Sequence, residues 1–148
     1  MKRTALAGIA LLICALPLAC DKGKAAEYGA RKDERATPKF YAKGTYAVID
    51  MLRQELPKRN GYGVLAAADK LGRVLEGLPV MLEKDKASGW EQRKQYAEEA
   101  HKLFLENIKH KLLAGDDPLF ARLRKYDVEE MDARLKELAK IIGKVENP

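Results

Sequence analysis

The chain has 148 residues, with 28 Lys and Arg against 22 Asp and Glu, a formal net charge of +6 and two cysteines. That length suits one domain with enough chain to bury a core. The basic excess is modest, interspersed with acids and unaccompanied by any recognition motif, which argues against a nucleic-acid partner; two cysteines exclude a disulfide-stapled scaffold.

The first element is not part of a globular body. Lys2 and Arg3 precede an uncharged apolar run from Ala5 to Leu18, and Ala19-Cys20-Asp21 follows. A basic start, an apolar stretch and a small residue before a cut form the layout of an export signal. At about 14 residues the run is shorter than the roughly 20 of a spanning helix. Cys14 would leave with it, so the exported body keeps Cys20 alone and folds without a disulfide. The stretch as far as Asp21 resembles the signal of bacterial lipoproteins, whose cysteine is lipidated and becomes the new N-terminus. Ala19 fits that pattern, while Pro17 and Leu18 stand where the class usually has leucine and a small residue. The resemblance implies that residues 1–19 are cleaved and that Cys20 carries the lipid. It places the protein on the cell membrane or outer membrane, facing the periplasm or exterior. Asp21, next to the cysteine, is an inner-membrane retention signal in some enteric-type bacteria. Removing the first 19 of 148 residues leaves 129 and, with Lys2 and Arg3 gone, a formal charge of +4.

Residues 20–36 are polar and charged, with Gly23, Gly29 and one aromatic, Tyr28, and read as a flexible tether. The body is expected over 37–148. Thr37-Pro38 is a cap followed by a first-turn proline, which predicts a helix over 38–56 ended by Pro57. Phe40, Ala47, Val48, Met51, Leu52 and Leu56 form its apolar face, with Tyr41 and Thr45 on an adjoining strip; Gly44 weakens it. A turn at 57–61 leads to a second helix over 61–84. Its stripe is Val64, Ala67, Ala68, Leu71, Val74, Leu75, Leu78, Met81 and Leu82. Pro79 predicts a kink or break near Gly77.

Ser88-Gly-Trp-Glu91 has capping-box spacing and opens a third helix running to about Ala114. Trp90, Ala97, Ala100, Phe104, Ile108 and Leu112 share one face, Leu103 and Leu105 widen it, and Gly115 is a stop. Asp117-Pro118 is another start, and Asp127-Val-Glu-Glu130 a further cap. The C-terminal part is therefore either one long helix or, preferably, a short helix over 118–125 followed by one over 128–144. The latter carries Met131, Leu135, Leu138, Ala139, Ile142 and Val145. The predicted fold is all-α: an antiparallel bundle of about four helices, the last split in two.

Chemistry-bearing residues are sparse. Glu98 and His101 have Glu-x-x-His spacing, but a di-iron bundle needs two such motifs and two more glutamates. His110 lies half a turn round from His101 at 100° per residue. Met51 or Met81 with His101 would be the pair for a non-covalent haem, yet methionines at helical spacing usually fill cores. Ser88 is explained by capping. The expectation is no enzyme, no cofactor and no metal. Tyr62, Trp90 and the patch from Arg122 to Tyr126 are candidate contact surfaces, with capping of the bundle end by Trp90 and a solvated face as the plainer readings. By elimination the expected work is protein binding: an accessory subunit, exclusion or immunity-type lipoprotein, with a membrane partner through Cys20 and an unidentified envelope protein. The rival from another class is a cofactor- or metal-binding periplasmic bundle.

Overall fold

The computed structural model describes residues 37–115 and 122–148. Cys20, the expected signal peptide, the tether and residues 118–121 of the expected 118–125 helix lie outside the described residues. Among the described residues four helices make an all-α bundle: α1 (Pro38–Glu55), α2 (Gly61–Asp85), α3 (Trp90–Leu103, prolonged by a π-helical Phe104–Lys109 and a last turn His110–Leu112) and α4 (Val128–Glu146). Each helix packs on two others, α1 on α2 and α4, and α3 on α2 and α4, in a four-cornered arrangement. Cross-links at the helix ends fix antiparallel neighbours. The Tyr41 hydroxyl donates to Asp85, Arg53 donates to Asp132 at 2.6 Å, and Arg93 donates to the Glu146 carbonyl at 2.6 Å.

The caps explain two of the four starts. Thr37 Oγ1 accepts the Phe40 amide at 3.2 Å, and Asp127 Oδ1 accepts the Glu130 amide at 2.8 Å, so each side chain satisfies one of the first free donors. The expected capping box at Ser88 does not form. Gly89, at φ 69°, is the N-cap of α3 and makes no side-chain cap bond. The left-handed turn there favours glycine, and it leaves Ser88 one position too early. Its carbonyl instead accepts from Arg93 Nε at 2.9 Å.

The core is one cluster spanning all four helices. Its largest fully buried side chains include Phe104, Ile49, Leu52, Leu71, Leu75, Ile108, Met131 and Leu135. Three expectations are corrected. In α1, Ala42, Thr45, Val48, Ile49 and Leu52 face inward, whereas Phe40, Ala47 and Met51 face out. The roll of the helix is set by the Tyr41–Asp85 and Arg53–Asp132 links on its two flanks, which carry the adjoining strip into the core. Thr45 is buried without cost because its hydroxyl donates to the Tyr41 carbonyl at 2.9 Å. Met81 of α2 is likewise exposed rather than core.

Second, α2 runs unbroken from Gly61 to Asp85 with Pro79 inside it. A mid-helix proline costs about 3 kcal/mol or more. Leu75, Leu78, Pro79 and Leu82 are all buried on that stretch, and each fully buried leucine contributes roughly 1.5–3 kcal/mol, enough to keep the helix going. Third, residues 122–125 are not helical. Arg122–Leu123 pairs antiparallel with Leu113–Ala114 as β2 and β1, and 124–127 are irregular. Gly115, at φ 95°, makes the turn out of β1. The Arg122–Tyr126 patch is a clasp: the Arg124 amide donates to the Leu112 carbonyl at 2.7 Å, its Nε to Leu113 at 2.9 Å, and the Tyr126 hydroxyl to Leu56 at 2.8 Å.

Candidate functional site: a groove between α2 and α3

Two opposing features open a groove between α2 and α3. On α2, Ala66, Ala68 and Gly72 are small, so the helix surface is recessed. On α3, the π-helical segment widens the helix by an extra residue in its turn just where Phe104 and Leu105 stand. Such insertions within α-helices are frequent at functional sites. A Cβ on Gly72 would sit 3.2 Å from the Phe104 ring, so glycine there lets the ring settle against α2. The resulting cleft has a volume of about 810 Å³ and opens to solvent, within the range of ligand pockets.

The floor is apolar, made by Leu65, Ala68, Gly72, Phe104, Leu105 and Leu113. The rim is polar: Asp69, Arg73 and Glu76 on α2, His101 and Lys109 on α3. Asp69 and Arg73 pair at 2.9 Å one turn apart, an exposed pair of little energetic weight. At the far end a smaller cavity of about 230 Å³ adjoins through Lys109, Leu113 and Gly115 and adds His110 and Arg124. The groove is thus apolar along its length and basic at one end.

The residues singled out from sequence scatter. His101 is half-buried on the groove rim and Glu98 is exposed on α3. His110 opens on the smaller cavity. The two histidines line adjoining cavities because the π segment between them turns the helix by less per residue than the 100° of an α-helix. Met51 and Met81 lie on the outer side of α1 and α2. Among the described residues no three His, Cys, Asp or Glu side chains converge as a metal site. Tyr62 lines one end of the groove and is highly exposed, while Trp90 is half-buried at the opposite end of the bundle.

Charge perturbations lie away from the groove and are structural. Tyr41 is pushed up to about 12 by burial and by its bond to the Asp85 carboxylate. Asp132 is held below the usual carboxylate range by hydrogen bonds from Arg53 and Lys136. Glu83 is lowered, and Lys94 raised, by their mutual hydrogen bond at 2.6 Å.

Sequence reasoning missed Arg93. It reaches from the first turn of α3 to the last carbonyls of α4, donating to Val145 and Glu146. A cation at a helix C-terminus both satisfies free carbonyls and meets the negative end of the dipole. Its position, five residues after Ser88 among polar neighbours, carries no local signal of that role. The π segment had a faint one, in the stripe around Phe104 that Leu103 and Leu105 make too broad for a single α face.

Among the described residues no helix is long and apolar enough to cross a membrane. Comparison with known protein families, with characterised proteins and with solved structures finds no match to this chain.

Proposed function

We propose that this protein is a cell-envelope lipoprotein, held to the membrane through Cys20, whose helical body acts by gripping a segment of a partner protein in the α2/α3 groove. The accessory, exclusion and immunity classes of small lipoproteins supply the analogy, at the level of class alone. The observation that carries the reading is the groove: an apolar floor, small residues at its base, and a basic end formed by Lys109 and Arg124. An amphipathic segment lays its apolar side chains into such a floor, and an acidic end on that segment meets the cations.

Site-specific photocrosslinking in cells tests it. A photoreactive residue in place of Arg73, on the groove rim, should form an adduct with one envelope protein. Filling the groove base by Gly72→Leu should abolish the adduct while leaving the circular dichroism spectrum helical. The same probe at the exposed Lys140 on α4 should give none. Equal adducts from both positions, or adducts indifferent to Gly72→Leu, would remove the groove from the account.

A further inference from the structure

A second surface, at the opposite end from Tyr62, is left unexplained by groove binding. Phe40 is 43 % exposed, Met81 41 % and Val80 65 %. They lie at one end of the bundle, where α1 begins and α2 ends. The Tyr41 hydroxyl bonds to Asp85, which places the first turn of α1 beside the last turns of α2, and the Phe40 ring packs edge-on against Tyr41 at 6.1 Å. Met81 sits one turn before Asp85 on the same helix side. Lysines surround the patch: Lys39 and Lys43 flank Phe40, Lys84 follows both Val80 and Met81 at helical spacing, and Lys86 caps α2. Lys39, Lys43 and Lys84 make no ion pair with a described residue, and Lys86 only attracts Glu83 at a distance. The acids nearby are committed, Asp85 to Tyr41 and Glu83 to Lys94. Glu76, one turn from Val80, points along the groove rim. Residue 37, from which the chain leads back to Cys20, is at this same end.

We propose that this Phe40–Val80–Met81 patch docks on an anionic lipid surface, seating the body with its α1 start and α2 end against the bilayer and its Tyr62 end pointing away. Exposed aromatic and aliphatic side chains enter the headgroup boundary, while long lysines keep their charged ends at the phosphates. The apolar area is too small to hold the protein alone. Each lysine near an anionic surface strengthens binding about fivefold, so the patch orients a body that a separate anchor retains. The orientation leaves the groove open along the side of the bundle for its partner. The inference stands on exposed side chains and charge, and is separable from the groove reading.

The test uses the purified full-length protein with protein-free vesicles and a single reporting tryptophan. Trp90→Phe removes the native fluorophore; Val80→Trp or Tyr62→Trp then places one at either end, both at exposed sites. Vesicles carry bromine on the acyl chains as a contact quencher. With anionic vesicles the residue-80 tryptophan should be quenched and the residue-62 tryptophan should not. Raising salt to about 0.5 M should relieve the quenching, since surface charge is screened within a few ångströms. Lys43→Gln with Lys84→Gln should weaken binding about 25-fold. Equal quenching at both ends, quenching at neither, or equal quenching with zwitterionic vesicles would overturn the proposal. Lys43→Gln with Lys84→Gln leaves Cys20 in place, so residue-80 quenching that this variant kept in full would belong to the anchor and overturn the patch.

Discussion

Gly44 and Gly77 lie inside α1 and α2, where glycine lowers helix stability by about 1 kcal/mol relative to alanine. A Cβ at either position meets nothing within 4 Å, and neither glycine has a positive φ. The methyl group therefore adds no clash, and the gain comes from the reduced freedom of the unfolded chain. Gly44→Ala and Gly77→Ala should each stabilise the fold by about 0.8–1 kcal/mol. With an unfolding entropy of about 2.1 cal/mol/K per residue over roughly 110 residues, each raises Tm by about 4 °C. Gly72→Ala is the internal control. Its Cβ would stand 3.2 Å from the Phe104 ring, so the same helix gain is offset by crowding of a core aromatic, and the net change should be near zero or unfavourable. Urea denaturation followed by circular dichroism reads all three. Destabilisation by Gly44→Ala, or equal gains at all three sites, would refute the packing described around these helices.

Arg93→Met keeps the apolar stem but strips three carbonyls of their donor; it should cost about 1.5–3 kcal/mol, with hydrogen exchange rising first at the last turn of α4. The Tyr41 hydroxyl, pushed up to about 12 in the fold, makes stability pH-dependent at the alkaline end. Below about pH 10 the hydroxyl is protonated in both states and its contribution is complete; between 10 and 12 the unfolded chain ionises while the folded one does not, and stability falls. After allowance for solvent near this half-buried group the loss is about 1–2 kcal/mol, and Tyr41→Phe should flatten that part of a chemical-denaturation series. Tyr46 and Tyr126, also raised by burial, leave a residual slope. Asp132→Asn removes the partner of Arg53 and Lys136; it should cost up to about 1 kcal/mol near neutral pH. The cost should vanish as pH falls below the carboxylate range, where the native carboxyl is itself protonated.

The helices were legible because their signals are local. Thr37-Pro38 and Asp127-Glu130 act within one turn of where they sit, and the stripes of α2 and α4 repeat often enough that single exceptions do not blur them. The roll of α1 was not legible, because two apolar strips compete there. The choice depends on partners far along the chain, Asp85 for Tyr41 and Asp132 for Arg53. Pro79 allowed a break that does not occur: its intrinsic cost is local, whereas the leucine packing that outweighs it is tertiary. The cap at Ser88 failed by a single residue, since a left-handed Gly89 satisfies the turn first. The groove had almost no signal. It arises from small residues on one helix facing a π segment on the next, and neither feature marks itself as a binding surface until the two are brought together.

The most direct test of the anchored, contact-making body is the mass of the mature N-terminal peptide from protein extracted out of bacterial membranes. The account predicts a chain beginning at Cys20, heavier than its sequence by a thioether-linked diacylglyceryl group, and absent from a Cys20→Ser variant. A mature chain starting elsewhere, or a Cys20 peptide with an unmodified thiol in the wild type, would contradict it.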